Sequence, residues 1–114
     1  MRARLDEIVF DCADPATLAR FWGALLGAEP VDREPHWSYV DPPDLPRLAF
    51  QRVPEPKAVK NRLHLDFAAG DIPAATAEAV ALGAVALGEP VSDTYGRFQV
   101  LQDPEGNEFC FVSG

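Results

Sequence analysis

His64 stands between Leu63 and Leu65 in a stretch that alternates apolar and polar residues, so on an extended chain Arg62, His64 and Asp66 share one face. An imidazole there is either a site residue or a polar group satisfied by hydrogen bonds with Arg62 and Asp66. An earlier alternating stretch puts Glu7, Val9 and Asp11 opposite Ile8 and Phe10. A carboxylate turned into a cavity beside other acids has a raised pKa and can serve as a base, whereas on a solvated edge it is simply an acid. Two further stretches set Ala49 and Gln51 against Leu48 and Phe50, and Glu108 and Cys110 against Phe109 and Phe111. Cys110 reads most simply as a small buried thiol. Trp37 and Tyr39 fall on one strand face, where two flat amphipathic rings line a pocket for an aromatic or extended ligand or bury against a helix. Tyr95-Gly96-Arg97-Phe98, after a turn at Ser92-Asp93, reads as a cavity lip, with Arg97 placed to hold a substrate carboxylate in bidentate fashion.

Positioning these side chains requires strands and helices in a definite order. The first strand, around Leu5 to Asp11, is followed by Asp14-Pro15, an N-cap with proline at the first helical position, and by Leu18, Phe21, Trp22, Leu25 and Leu26 at helical spacing, with Gly27 as the stop. Short strands follow around Glu29 to Arg33, His36 to Asp41 and Arg47 to Val53, punctuated at Asp41-Pro42-Pro43-Asp44. Pro54 to Asn61 reads as a linker, and its Lys57 and Lys60, with Arg62, as a solvated basic cluster. The pattern then restarts. A strand over Arg62 to Phe67 precedes a helix capped by Asp71, with Pro73 in its first turn and Gly83 as its stop. The offset is 57 between Asp14 and Asp71 and 56 between Gly27 and Gly83, and each half closes with strands after a turn, at Asp41-Pro42 and at Asp103-Pro104-Glu105-Gly106. This is an internal repeat of β-α-β-β-β type, with module 1 at 1–54, the linker at 55–61 and module 2 at 62–114. Glu7 and His64 are repeat equivalents, and so are Gln51 and Cys110. Halves this short bury a sheet face poorly alone, so they are expected to share one core or cavity within a single domain, 1–114.

Composition narrows the partners. The chain has 114 residues, 47% hydrophobic, 10% aromatic and 25% charged, as expected of one folded domain without a long disordered tail. Eighteen acids against ten bases leave a charge of −8, which opposes nucleic acid and anionic membrane surfaces and favours a small neutral or cationic ligand. No apolar run approaches the roughly 18 to 20 residues that cross a bilayer, and Met1 to Asp6 lacks the pattern of a signal peptide, so the expected location is cytoplasmic. Cys12 and Cys110 fit no zinc spacing and are too few for a disulfide framework, which predicts reduced thiols.

The segments Glu7-Ile8-Val9-Phe10-Asp11-Cys12-Ala13-Asp14-Pro15, Leu25-Leu26-Gly27, Asn61-Arg62-Leu63-His64-Leu65-Asp66 and Asp103-Pro104-Glu105-Gly106-Asn107-Glu108-Phe109 together resemble the vicinal oxygen chelate superfamily, in its glyoxalase-like, bleomycin-resistance-like branch. The resemblance spans nearly the whole chain, and the last segment is its most specific part. It implies an α+β fold of two βαβββ modules whose curled mixed sheets surround a cavity, helices on the outer side, and commonly a homodimer. It also implies two metal-binding positions per module, usually His, Gln or Glu, which here carry Glu7, Gln51, His64 and Cys110. By ligand type such a set suits one divalent ion, Mn, Fe, Ni or Zn. Cys110 departs from the family pattern, which normally has a Glu there; the nearest carboxylate, Glu108, lies two residues earlier.

Two functions are therefore expected. In the first, a metal-dependent lyase or isomerase of the glyoxalase-like type, the ion polarises two neighbouring substrate oxygens and Glu7 or Glu108 moves the proton. In the second, a metal-free binding protein sequesters a hydrophobic or cationic drug-like molecule with Trp37, Tyr39 and Phe98, Asp66 and Arg97 completing the ligand-binding set.

Overall fold

A computed structural model of the chain describes residues 3–113; Met1, Arg2 and Gly114 lie outside the described residues. The chain divides into two compact units, one running to Pro56 and the other beginning at Lys57. Residues 57–61, expected as linker, thus belong with the second unit.

In the first unit, strand β1 (Glu7–Cys12) leads into helix α1 (Pro15–Leu26), then β2 (Val31–Glu34), β3 (Trp37–Val40) and β4 (Arg47–Arg52). The sheet order is β1-β4-β3-β2, with β1 parallel to β4 and the other pairs antiparallel. Asp14 caps α1 by accepting from the Thr17 backbone N–H, and Gly27 ends it in the left-handed conformation. Phe10 packs on Trp22 and Phe50, and Leu18, Trp22, Val40, Leu48 and Phe50 are buried, so the apolar stripe of α1 covers one sheet face. Gly23 is required where α1 ends. A Cβ there would lie 2.4 Å from the Ala28 carbonyl oxygen, a backbone atom that cannot swing away. Gly23→Ala is therefore expected to lower stability by about 2 kcal/mol in chemical denaturation, overpacking outweighing the helix propensity that alanine adds. An unchanged denaturation midpoint would show that the 23–28 turn yields freely.

The second unit repeats the order: β5 (Leu65–Ala68), helix α2 (Ile72–Leu82), β6 (Val85–Asp93), β7 (Gly96–Gln102) and β8 (Glu108–Ser113), in a sheet ordered β5-β8-β7-β6. Asp71 caps α2 as Asp14 caps α1. Phe109 meets Phe67 and Phe111 edge to face, and Leu101, Phe109 and Phe111 are buried. Between Leu87 and Val91 the register of β6 against β7 shifts, and the buried Gln99 amide donates to the carbonyls of Leu87 and Gly88 that the irregularity exposes. Two sequence expectations change here. The strand expected from Arg62 begins only at Leu65, because the β5–β8 ladder opens with the pair Leu65 and Phe109. Arg97 and Phe98, expected in a lip, lie inside β7, and the β6–β7 hairpin turns at Thr94-Tyr95. The architecture is α+β, two mixed four-stranded sheets each with one helix, in agreement with paired βαβββ modules.

Candidate functional site

Registers fix which side chains share a face. In the second unit Asp66 stands opposite Cys110, and Cys110 opposite Val100. Strand alternation therefore places Asp66, Cys110, Val100 and Phe98 on the face away from Phe109 and Phe111, and Arg97 on the other face with Gln99. His64, just before β5, reaches the same cluster, its Nε2 lying 3.3 Å from Asp66 Oδ1. The donor atoms of His64, Asp66 and Cys110 all lie within 4.8 Å of one another. His64 and Asp66 are about half exposed, whereas Cys110 is buried. Burial pushes the Cys110 thiol up, and the negative charge of Asp66 and the hydrogen bond the thiol gives that carboxylate raise it further, so without a cation the sulfur keeps its proton.

The trio fits a divalent ion by donor chemistry. One nitrogen, one oxygen and one sulfur donor, two of them open to solvent, are the three protein ligands of an open tetrahedral site. Bonds of about 2.0 to 2.3 Å put such donors roughly 3.5 Å apart, a separation that His64 and Asp66 already have and that Cys110 gains by small rotamer changes of its two exposed neighbours. Asp66, expected as a ligand-binding residue and hydrogen-bond partner of His64, thus joins the candidate metal donors. The signal was present: Asp66 is two residues from His64 on an alternating stretch.

Glu108, the other expected base, is occupied. Its carboxylate accepts from the Asn61 backbone N–H at 2.7 Å, from Lys57 Nζ at 3.2 Å and from Gln102 Nε2 at 3.5 Å, and Asn61 Nδ2 also reaches its carbonyl. Burial alone would raise its pKa, but these donors outweigh burial and hold it below the usual glutamate value. Lys57 Nζ also donates to the Val59 carbonyl. Glu108 thus ties 57–61 to β8, and because His64 lies between that tether and β5, the tether sets where the imidazole starts. Glu108→Gln is expected to cost about 2 kcal/mol of stability near neutral pH. A group with a lowered folded pKa stabilises above its unfolded value, so this contribution fades as pH falls below about 4.5. Denaturation midpoints of variant and parent should therefore converge in acid; a gap that is constant with pH would assign the loss to packing.

In the first unit Glu7 stands opposite Arg47, and Gln51 opposite Asp11, to which its amide donates at 3.4 Å. Glu7 and Gln51 are thus four rungs apart, roughly 13 Å along the strands, and the unit does not bring them together. Trp37 and Tyr39 do share a face, with buried Ser38 and Val40 on the other. The sequence reading missed their covers: the Arg33 guanidinium lies 4.6 Å from the Trp37 ring centroid and that of Arg47 3.7 Å from the Tyr39 ring. Alternation from Gln51 and Ala49 back to Arg47 carried half of that signal. Cys12 and Cys110 are both free and buried. Among the described residues, no helix is long and apolar enough to cross a membrane.

Comparison with known proteins agrees with the fold. Residues 7–112 match the family model of the glyoxalase-like domain. A glyoxalase/bleomycin resistance protein/dioxygenase family enzyme from Burkholderia phytofirmans PsJN is similar in structure with a TM-score of 0.81 and 20% identity, over 96% of this chain and 98% of that one. A glyoxalase-related enzyme from Fulvimarina pelagi gives a TM-score of 0.76 at 19% identity, over 96% of this chain and 86% of its own. The fosfomycin resistance protein FosX from Mesorhizobium loti gives 0.74 at 22% identity, over 100% and 94%. Likeness at these identities speaks for the fold alone. No curated protein matches the chain. With the family model spanning nearly all of the two repeated units, the chain belongs to the glyoxalase-like domain family.

Proposed function

We propose that this protein is a metal-dependent enzyme of lyase or isomerase type acting on a small molecule, with the ion held by His64, Asp66 and Cys110. The observation that carries the reading is the convergence of three different donor atoms within 4.8 Å on one sheet face. When bound, a divalent ion supplies Lewis-acid polarisation of a ligand oxygen. The chain's own part is to hold that oxygen's surroundings. Cys110 and Val100 form the floor, Phe98 adds an apolar edge in the next strand, and Asp66 orients both the imidazole and the thiol. Glu108 acts in this reading as the tether of the 57–61 segment and not as the proton acceptor.

Elemental analysis after reconstitution with Mn, Fe, Ni or Zn tests this. Near-stoichiometric ion is expected, with zinc favoured because the set contains a thiolate, and His64→Ala should abolish it. A protein that keeps none of the four metals would end the proposal. One observation favours a second reading, a metal-free ligand-binding protein: the imidazole, carboxylate and thiol already satisfy one another without an ion. That reading predicts ligand-induced quenching of Trp37 fluorescence that survives treatment with a chelator and is lost in Trp37→Phe.

A further inference from the structure

One rung of the second sheet runs from the donor cluster into an apolar strip. Asp66 on β5 stands opposite Cys110 on β8, Cys110 opposite Val100 on β7, and Val100 opposite Leu87 on β6, so all four side chains share the open face. The rung is polar at one end only. On either side of Leu87, Val85 and Val91 extend the apolar end, and all three β6 side chains are exposed. Apolar side chains left open beside a polar cluster are the usual lining of a small-molecule site, where a few polar groups orient the ligand and a larger apolar surface holds it. From Cys110 to Leu87 is two strand spacings, about 10 Å, room for a phenyl ring on a short chain.

Lys60 sets the charge at the polar end. Glu108, on this same face, accepts from the Asn61 backbone N–H, and that peptide group carries the Lys60 carbonyl, so Lys60 is anchored beside β8. Its positive charge acts on the Cys110 thiol, opposing the rise that burial and Asp66 cause. Lys57 is paired with Glu108, whereas Lys60 has no ion pair among the described residues. A divalent ion held by the Asp66 carboxylate, the Cys110 thiolate and a neutral imidazole leaves the cluster without net charge, and Lys60 then stands as a spare cation at its rim. The net charge of −8 does not reverse that local sign, because exposed charges more than about 8 Å away are largely screened at physiological salt. We propose that the substrate is a small carboxylic acid with an aromatic or aliphatic arm, its carboxylate beside Lys60 and its arm lying along Val100 and Leu87. This substrate class rests on the metal-dependent reading of the His64 cluster.

Titration of cobalt-loaded protein with hydrocinnamate tests it, followed through the visible absorption of the cobalt. Hydrocinnamate is expected to bind about tenfold more tightly than acetate, because of the arm, and about tenfold more tightly than its own amide, because of the charge. Compared at equal cobalt content, Lys60→Gln should weaken hydrocinnamate about fivefold or more and Lys60→Arg should restore it. Leu87→Ser, at an exposed position, should weaken hydrocinnamate and leave acetate as it was. The inference falls if acetate or the amide binds as well as hydrocinnamate, or if Lys60→Gln and Leu87→Ser both bind it as the parent does. Protein that shows the thiolate-to-cobalt band yet gives those results overturns the substrate class alone and leaves the metal-dependent reading in place, whereas protein that takes up no cobalt overturns both.

Discussion

Asp103→Ala is expected to lower the unfolding free energy by about 3 kcal/mol, the largest loss from any single polar side chain of the second unit. The residue is only 2% exposed, yet its carboxylate accepts from the backbone N–H groups of Glu105 and Asn107, both at 2.9 Å, and from Asn107 Nδ2. Around it the Asp103 N–H donates to the Asn107 carbonyl and the Gly106 N–H to the Asp103 carbonyl. One carboxylate therefore satisfies most of the donors of the β7–β8 turn, and alanine would strand them in a place water reaches poorly. Asp103→Asn keeps one acceptor oxygen but turns an NH2 group toward donors, so it should fall between parent and alanine. Urea denaturation with an unchanged slope measures the loss. A loss below about 1 kcal/mol would show that Pro104 and Gly106 set the turn without help.

Cys110→Ser should reduce zinc affinity by about a hundredfold or more while leaving the fold intact. The serine hydroxyl is close to the thiol in size and can still donate to Asp66, so packing on β8 is preserved, but a neutral hydroxyl is a far poorer zinc ligand than a thiolate. Competition against a chromophoric chelator gives the affinity directly. Cobalt substituted for zinc should show a thiolate-to-metal absorption band in the parent that is lost in the variant. Affinity within tenfold of the parent would remove Cys110 from the ligand set.

The elements were legible because their local chemistry agrees with their packing. Asp14-Pro15 and Asp71 both cap helices as read, Gly27 and Gly83 both end them, and Leu48 and Phe50 bury where alternation put them. The Asp-Pro-Glu-Gly-Asn signature proved to have a physical basis in the hydrogen bonds of Asp103. What a single chain could not display was register. Alternation says that Glu7 and Gln51 face the same way, but only the ladder says they are four rungs apart, and only the ladder sets Asp66 against Cys110. Nor could it display which cations lie on which rings, since Arg33 reaches Trp37 across an irregularity between Asp32 and Glu34 that no sequence period encodes.

The order of the second sheet has a consequence for biosynthesis. Its inner strand β8, which separates β5 from β7, is the last of the four to be synthesised. While the nascent chain is still short of Glu108, β5 has no neighbour, the Asn61 tether has no anchor, and His64 and Asp66 lack the sulfur that completes their cluster. The first unit can close behind Arg52 while the ribosome is still adding residues, but the second must wait for its final strand to leave the exit tunnel. A ribosome stalled before that point would expose an incomplete sheet, and the three candidate donors would come together only once β8 has emerged.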